Sequence, residues 1–225
     1  MEGVFTFLGV FTGHGIGMVM AHLILVMGLT LVLARYATMQ FRAVPGGTQN
    51  VMEAYLNGVI SMGKDTIGEE LARKYLPLVA TVGLFVFISN VVGIIPGFES
   101  PTSNINVTLP LALVVFIYYN YEGIRENGVK KYFAHFMGPV PLLAPLMFPI
   151  EIVSHISRII SLSFRLFGNI KGDDLFLWVL LMLVPFIAPL PAYLLLSFSA
   201  ILQTFVFMIL IYVYLAGAVA MDDDH

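Results

Sequence analysis

Residues 151–178 read EIVSHISRIISLSFRLFGNIKGDDLFLW, an apolar segment that carries basic residues in its interior, among them Arg158 and Arg165. Charged groups inside hydrocarbon are costly, so each of them needs a specific reason to be there. Arg158 can extend its guanidinium to a membrane surface. Arg165 lies about 21 Å along a helix from Glu151 and about 13 Å from Asp174. Its guanidinium therefore has difficulty reaching either membrane surface. The depth of Arg165 therefore predicts a functional role.

A polar stripe runs along the same segment. Counted at about 100° per residue, its polar and small side chains share one helix face; they are Glu151, Ser154, His155, Arg158, Ser161, Arg165, Asn169 and Gly172. An unsatisfied polar group in lipid costs several kcal/mol, so this face should meet protein or water. Two members also have ordinary explanations, because His155 can be a hydrogen-bonded packing residue and Glu151 can lie at the membrane interface.

The composition indicates an integral membrane protein. Of the 225 residues, 59% are hydrophobic and 11% are charged, against about 45–50% and about 25% in soluble domains. The 11 Lys and Arg residues are too few for a basic face that binds nucleic acid. The absence of cysteine excludes a disulfide framework and thiolate metal ligands.

The hydrophobic segments predict an all-α polytopic membrane protein that forms one domain over residues 1–225. Residues 48–75 mix apolar and charged side chains and are expected to form an amphipathic helix at the interface. About five segments are long enough to cross the membrane; they are 16–36, 76–96, 107–121, 146–186 and 192–220. The segment 146–186 is expected to be interrupted near Gly172.

The basic residues predict the orientation. Eight of the 11 follow the first and third spans, and none lies in the loop 97–106. Because cytoplasmic flanks carry the excess of Lys and Arg, the N-terminus is expected outside and the C-terminus in the cytoplasm. The segment from residue 146 then rises from the inner surface. The polar residues on the inner side of Arg165 include Glu151, Ser154, His155 and Ser161, whereas Asp173 and Asp174 lie toward the outside.

Three motifs carry a resemblance to a known family. They are SLSFRLFGNIKGDD at 161–174, LQTFVFMILIYVYL at 202–215 and NINVTLPLAL at 104–113. The chain resembles subunit a of the F-type ATP synthase membrane sector, bacterial type, from about the first span to the tail. Two positions depart from the pattern, since some members carry His where Leu196 stands and an acid where Gly93 stands. The outer proton route is therefore expected to depend more on Asp173 and Asp174.

The resemblance implies a stationary ion-channel subunit of a rotary motor, in which the last two segments, 146–186 and 192–220, form a long tilted hairpin that faces the rotor ring. Two offset half-channels would deliver protons to and from carboxylates on a rotating c-ring. Arg165 would be the gate that prevents leakage, since arginine keeps its proton at any accessible pH. Glu151, His155 and Ser161 are candidates for the inner half-channel, and Asp173 and Asp174 for the outer one. Gln203 and Asn169 are expected to hydrogen-bond Arg165, and Asp174 stands where the family places an ionisable residue.

The same resemblance implies the partners and the location. The expected partners are the c-subunit ring, b-type peripheral stalk subunits, the F1 ATPase sector and membrane lipid, with no nucleic acid. The expected location is the bacterial plasma (inner) membrane, and no catalytic site, cofactor or metal is expected.

Two other classes remain as alternatives. An intramembrane metal-dependent enzyme is suggested by the pair Asp173-Asp174 and the tail 222–225, but these clusters fall on opposite sides of the predicted membrane. A secondary transporter would be expected to show an internal repeat, and the sequence contains none.

Overall fold

The computed structural model describes residue 7 and residues 15–38, 46–136, 144–183 and 189–219. These residues form six α-helices and no strand, which confirms the all-α prediction. In chain order the helices are α1 (Ile16–Thr38), α2 (Gly47–Ile67), α3 (Glu69–Ile94), α4 (Ile105–Phe136), α5 (Ala144–Leu183) and α6 (Pro189–Val219). A short 3-10 helix, Pro101–Ser103, lies between α3 and α4. The two chain ends, including the acidic tail, lie outside the described residues.

Five of the described helices are long and apolar enough to cross a membrane, as predicted. The qualifying ranges are Ile16–Tyr36, Glu69–Ile94, Ile105–Val129, Pro145–Leu183 and Pro189–Val219. The remaining helix, α2, has the mixed composition expected of an interfacial helix. Burial raises the pKa of Tyr55 on α2 to about 12. The Tyr55 phenol therefore stays protonated and donates a hydrogen bond to the Ala80 carbonyl at 2.8 Å.

The predicted amphipathic helix 48–75 is divided in the structure. It ends at Ile67, and Gly68 has a φ of 87°, a conformation that glycine adopts at little cost. The backbone N–H of Gly68 still caps the helix by donating to the Lys64 carbonyl at 3.2 Å. Residues 69–75 therefore belong to the spanning helix α3.

Two other helices differ from the prediction. The third span, predicted over 107–121, continues as α4 to Phe136 and bends at Gly128, where φ is 76°. The interruption expected near Gly172 is wrong, because α5 is one helix of 40 residues. A helix of that length is about 60 Å long, twice the hydrocarbon thickness of about 30 Å. That excess of length is the physical basis of the predicted tilt.

Helix α6 lies at the centre of the bundle. Its buried side chains include Phe207, Ile211, Tyr212 and Leu215, and they pack against α2, α3 and α4. A Cβ at Gly63 would lie 2.6 Å from the Tyr212 ring, so this glycine allows α2 to approach α6 closely.

Helix α5 lies on the outside of the bundle. Only one narrow stripe, formed by Leu162, Leu166 and Ile170, is buried among its apolar side chains. The stripe faces α4 and α6, and large apolar side chains such as Phe164 and Trp178 are exposed on the opposite side. The exposed side of α5 suits contact with lipid or with another membrane protein.

Polar contacts fasten one end of the bundle. Asn127 Nδ2 on α4 donates to the carbonyls of Ala218 and Val219, at 3.1 and 3.4 Å, and so caps the end of α6. The carboxylate of Glu122 is buried and accepts a hydrogen bond from Tyr75 Oη at 3.3 Å.

Charged side chains surround the same carboxylate. Lys74 Nζ lies 3.6 Å from Glu122 and also pairs with Glu126. Arg125 Nη1 lies 3.3 Å from the second carboxylate oxygen of Glu122. These contacts join the beginning of α3 to the middle of α4.

Candidate ion-translocation site

An open groove of about 660 Å³ separates α5 from α6. Its polar lining comes from both helices and consists of Arg165, Asn169, Asp173, Ser199 and Gln203. Apolar side chains, among them Leu195 and Phe198, complete the α6 wall. The structure thus brings five polar residues together in one groove, four of which the sequence had indicated.

Arg165 presents an uncompensated charge to this groove. Its side chain is half-buried beside the buried stripe of α5. Among the described residues it forms neither an ion pair nor a hydrogen bond. The nearest acid on its own helix toward the C-terminus, Asp173, is eight residues away, or about 12 Å along the axis. The guanidinium can therefore receive a carboxylate that comes from outside the chain.

Gln203 and Asn169 form a hydrogen bond across the groove. Asn169 Nδ2 donates to Gln203 Oε1 at 2.5 Å, whereas the sequence predicted that both amides would bond Arg165. The partner prediction was therefore wrong, although all three residues line the same groove. The Gln203 side chain is 4% exposed, and its Nε2 is buried with no partner among the described residues. The amide pair joins α5 to α6 beside Arg165.

A second, small cavity of about 20 Å³ lies next to the groove. Its lining includes Asn90, Gly93, Ser100, Asp173, Asp174 and Leu196. A cavity of this size has room for about one water molecule. Gly93 and Leu196 line this cavity together with Asp174.

Buried hydroxyl groups extend from this small cavity toward the 3-10 helix. Ser100 Oγ lies 2.7 Å from Thr102 Oγ1, and Thr102 Oγ1 donates to Asn90 Oδ1 at 3.3 Å. Ser89 Oγ lies 3.3 Å from both hydroxyls. The amide nitrogen of Asn90 is buried without a described partner. This cluster gives the small cavity a polar wall.

The two adjacent acids have different surroundings. Asp173 lines both cavities and accepts a hydrogen bond from Ser199 Oγ at 2.9 Å. Asp174 lines only the small cavity and lies 4.0 Å from Lys171 Nζ, which lies 4.0 Å from Glu99. Asp173 therefore stands between the cavities, and Asp174 stands beside a pair of charged groups.

The three candidates for the inner half-channel, Glu151, His155 and Ser161, lie away from both cavities. His155 Nε2 is 3.4 Å from Glu151, and His155 Nδ1 is 3.1 Å from Tyr119 Oη on α4. The rings of Tyr119 and His155 stack with centroids 6.0 Å apart. Ser161 is exposed. His155 precedes Arg165 by ten residues, about 15 Å along α5, so Glu151, His155 and Tyr119 form a separate cluster.

The described ranges offer no metal site, since no three His, Asp or Glu side chains within them lie close enough together to hold an ion. The tail acids of the metal-enzyme alternative lie outside these ranges.

Known proteins resemble this chain along nearly its whole length. The family model described as ATP synthase A chain matches residues 16–216. A protein of Sulfurovum sp. named ATP synthase subunit a is 78% identical over 100% of this chain and 94% of its own length. Proteins of the same name from Nitratiruptor sp. and Aliarcobacter butzleri are 67% and 59% identical, each over 100% of this chain and 99% of their own.

The chain belongs to the ATP synthase subunit a family. As a member it is an integral membrane subunit of the Fo sector, it works in a complex with other Fo and F1 subunits, and the catalysis resides in F1. The resemblance read from the three motifs is confirmed.

Two residues of this subunit a were not predicted, namely Ser199 in the groove between α5 and α6 and Tyr119 beside His155. Ser199 is one of several hydroxyls on α6, and the sequence shows no reason to select it. Tyr119 lies in an aromatic run on α4, and only its contact with His155 distinguishes it. The contacts of Ser199 with Asp173 and of Tyr119 with His155 depend on which helix faces meet, and a single sequence does not reveal this.

Proposed function

We propose that this subunit is the stationary ion channel of a rotary ATP synthase, in which two offset half-channels carry protons to and from carboxylates of the c-ring. The observation that supports this proposal best is the half-buried Arg165, which faces an open groove without any described partner. A permanent cation in such a position is expensive unless a mobile anion meets it.

Arg165 would act as the gate. A guanidinium attracts a ring carboxylate and favours its ionised form, yet it does not release a proton of its own. Each ring carboxylate would give up its proton before it meets Arg165 and take up another after it leaves. Because Arg165 cannot relay protons, the two half-channels stay separate and ion flow requires rotation.

The outer half-channel would use Asp174 and Asp173. Their support is the small cavity, which places Asp174 next to polar side chains and leads through Asp173 to the groove. The inner half-channel would use Glu151, His155 and Ser161. Its support is the contact of His155 with both Glu151 and Tyr119, which places two titratable groups beside a phenol.

The exposed apolar side of α5, together with the groove, would face the c-ring, and other exposed surfaces would face lipid. The N-terminus would lie outside and the C-terminus in the cytoplasm of a bacterial plasma (inner) membrane. The b-type peripheral stalk would hold the subunit still against the F1 sector.

The test replaces Arg165 by lysine and by alanine. Both variants should lose ion-coupled ATP synthesis down to background, because lysine can lose its proton and lacks the planar fork. Synthesis is measured in vesicles energised by a proton gradient, after the amount of assembled complex has been matched. The matched control is Arg158→Lys, seven residues earlier on α5, where the cation lies over the Tyr214 ring and a lysine can replace it.

Arg158→Lys should keep at least most of the wild-type rate. Normal coupled synthesis by Arg165→Lys would refute the gate.

A further inference from the structure

We infer that the outer half-channel works as a two-carboxylate relay in which Asp173, held by Ser199, passes protons between the small cavity and the groove. The inference rests on the proposed function and adds to it an order of steps and a positioning residue.

The position of Asp173 is the first argument. Of the two adjacent acids, only Asp173 lines both cavities. Asp174 lines the small cavity, where it stands near Lys171 and the polar wall around Asn90 and Ser100. A proton that reaches Asp174 therefore meets Asp173 before it meets the groove that contains Arg165.

The hydrogen bond from Ser199 is the second argument. Helical Ser and Thr hydroxyls in this environment commonly bond the carbonyl four residues earlier. Ser197 and Thr204 on α6 do so, at 2.8 and 2.9 Å. Ser199 instead donates across the groove to Asp173 Oδ2 at 2.9 Å. Its hydroxyl is thus used to fix a carboxylate of the neighbouring helix.

The remaining oxygen of Asp173 is the third argument. Among the described residues Asp173 has no hydrogen bond or ion pair other than that with Ser199. Because Ser199 donates to Oδ2, Oδ1 remains available to exchange protons with water. A carboxylate that is fixed at one oxygen and open at the other suits repeated proton transfer.

The steps balance as simple proton transfers. Asp174 accepts a proton from water on the outer side and returns it to a water molecule in the small cavity. That water gives a proton to Asp173 Oδ1, and Asp173 releases it to water in the groove, next to the ring carboxylate. Both acids finish ionised, and one proton has moved from the outer side to the groove.

The experiment measures ATP-driven proton pumping and ATP synthesis by the assembled complex in membrane vesicles. Asp173→Asn and Asp174→Asn should each reduce proton flux by at least about tenfold, since each removes one proton acceptor from a series. Ser199→Ala should reduce flux by about three- to tenfold, because the carboxylate loses a charge-assisted hydrogen bond. Ser199→Thr keeps the hydroxyl and should restore most of the flux.

Ser197→Ala is the matched control, because Ser197 lies two residues before Ser199 and its hydroxyl donates to the Tyr193 carbonyl of its own helix. Its flux should equal that of the wild type. Recovery of the proton flux in Ser199→Thr would show that the hydroxyl acts by positioning the Asp173 carboxylate. General damage to α6 would not be repaired by threonine. If Asp173→Asn fails to assemble, the two Ser199 variants decide the question.

A complex with Asp173→Asn that assembles and pumps at the wild-type rate would overturn the relay, and so would wild-type flux in Ser199→Ala. Arg165→Ala is measured in parallel because it leaves Asp173 and Ser199 intact. Normal coupling in Arg165→Ala would refute the proposed function, whereas its failure beside a fully active Asp173→Asn would refute the relay alone.

Discussion

The hydrogen bond between Asn169 and Gln203 can be broken by removing a single methylene. Gln203→Asn keeps the primary amide but withdraws it by one carbon–carbon bond, about 1.5 Å. The N···O distance, 2.5 Å in the structure, would then be about 4 Å, beyond the range of a hydrogen bond. Interhelical hydrogen bonds in membrane proteins average about 0.6 kcal/mol and reach about 1.7 kcal/mol. The joined arrangement of the groove should therefore become about three- to twentyfold less populated.

The chain itself offers a length-conserving rescue. Combining Gln203→Asn with Asn169→Gln moves the methylene from one side of the groove to the other and restores the combined reach. We expect Gln203→Asn to assemble but to couple proton flow to synthesis poorly, and the swapped pair to recover most of the coupling. Coupling is measured as ATP formed relative to passive proton leak, with complex yield as the measure of assembly.

Gln203→Leu separates the hydrogen bond from burial. Leucine removes the amide nitrogen that is buried without a described partner. The variant therefore avoids the cost of about 1–3 kcal/mol for burying an unsatisfied donor. This variant should assemble as well as the wild type and still couple poorly. Wild-type coupling in Gln203→Asn, or a swapped pair no better than Gln203→Asn alone, would refute the reasoning.

Two further predictions concern the end of the bundle at which α4 caps α6. Gly123→Ala should lower stability by about 1–3 kcal/mol through overpacking, because the new Cβ would lie 2.9 Å from the backbone oxygen of Ala218 and 2.7 Å from the Tyr132 ring. Thermal denaturation of the purified complex measures this loss of stability. The control is Gly58→Ala, whose Cβ meets nothing within 4 Å. Equal melting temperatures of the two variants would contradict the overpacking argument. Glu122→Ala should cost about 1–2 kcal/mol, since the carboxylate is buried but its cationic partners are largely exposed. The control is Glu126→Ala, which removes an exposed partner of Lys74 and should change stability by no more than about 0.5 kcal/mol. An equally small change in Glu122→Ala would contradict the role assigned to the buried carboxylate.

The spans could be predicted because each depends on local composition. Hydrophobic length alone located the five segments, and the depth of Arg165 followed from counting residues along one helix. Helix ends were harder to predict, because they depend on single backbone conformations. Gly68 adopts a positive φ and ends α2, whereas Gly172 continues α5, and the two residues look alike in a sequence.

The candidate site was predictable where it is local and unpredictable where it joins helices. Arg165, Asn169 and Asp173 share a face of α5, so their common groove could be anticipated from helical spacing. The partner of Gln203 could not, because the choice between Asn169 and Arg165 depends on the rotation of α6 against α5. The pairing of Ser199 with Asp173 depends on the same rotation.

The cap that Asn127 places on α6 has a mechanical consequence. If the exposed side of α5 faces the c-ring as proposed, a push from the rotating ring would load α6 through the groove, and α6 would pass that load to its end. There the side-chain amide of Asn127 holds main-chain oxygens of Ala218 and Val219, which move only if the helix itself moves. The push would then reach α4 as compression along a stiff backbone, with α6 acting as a strut that is pinned at one end.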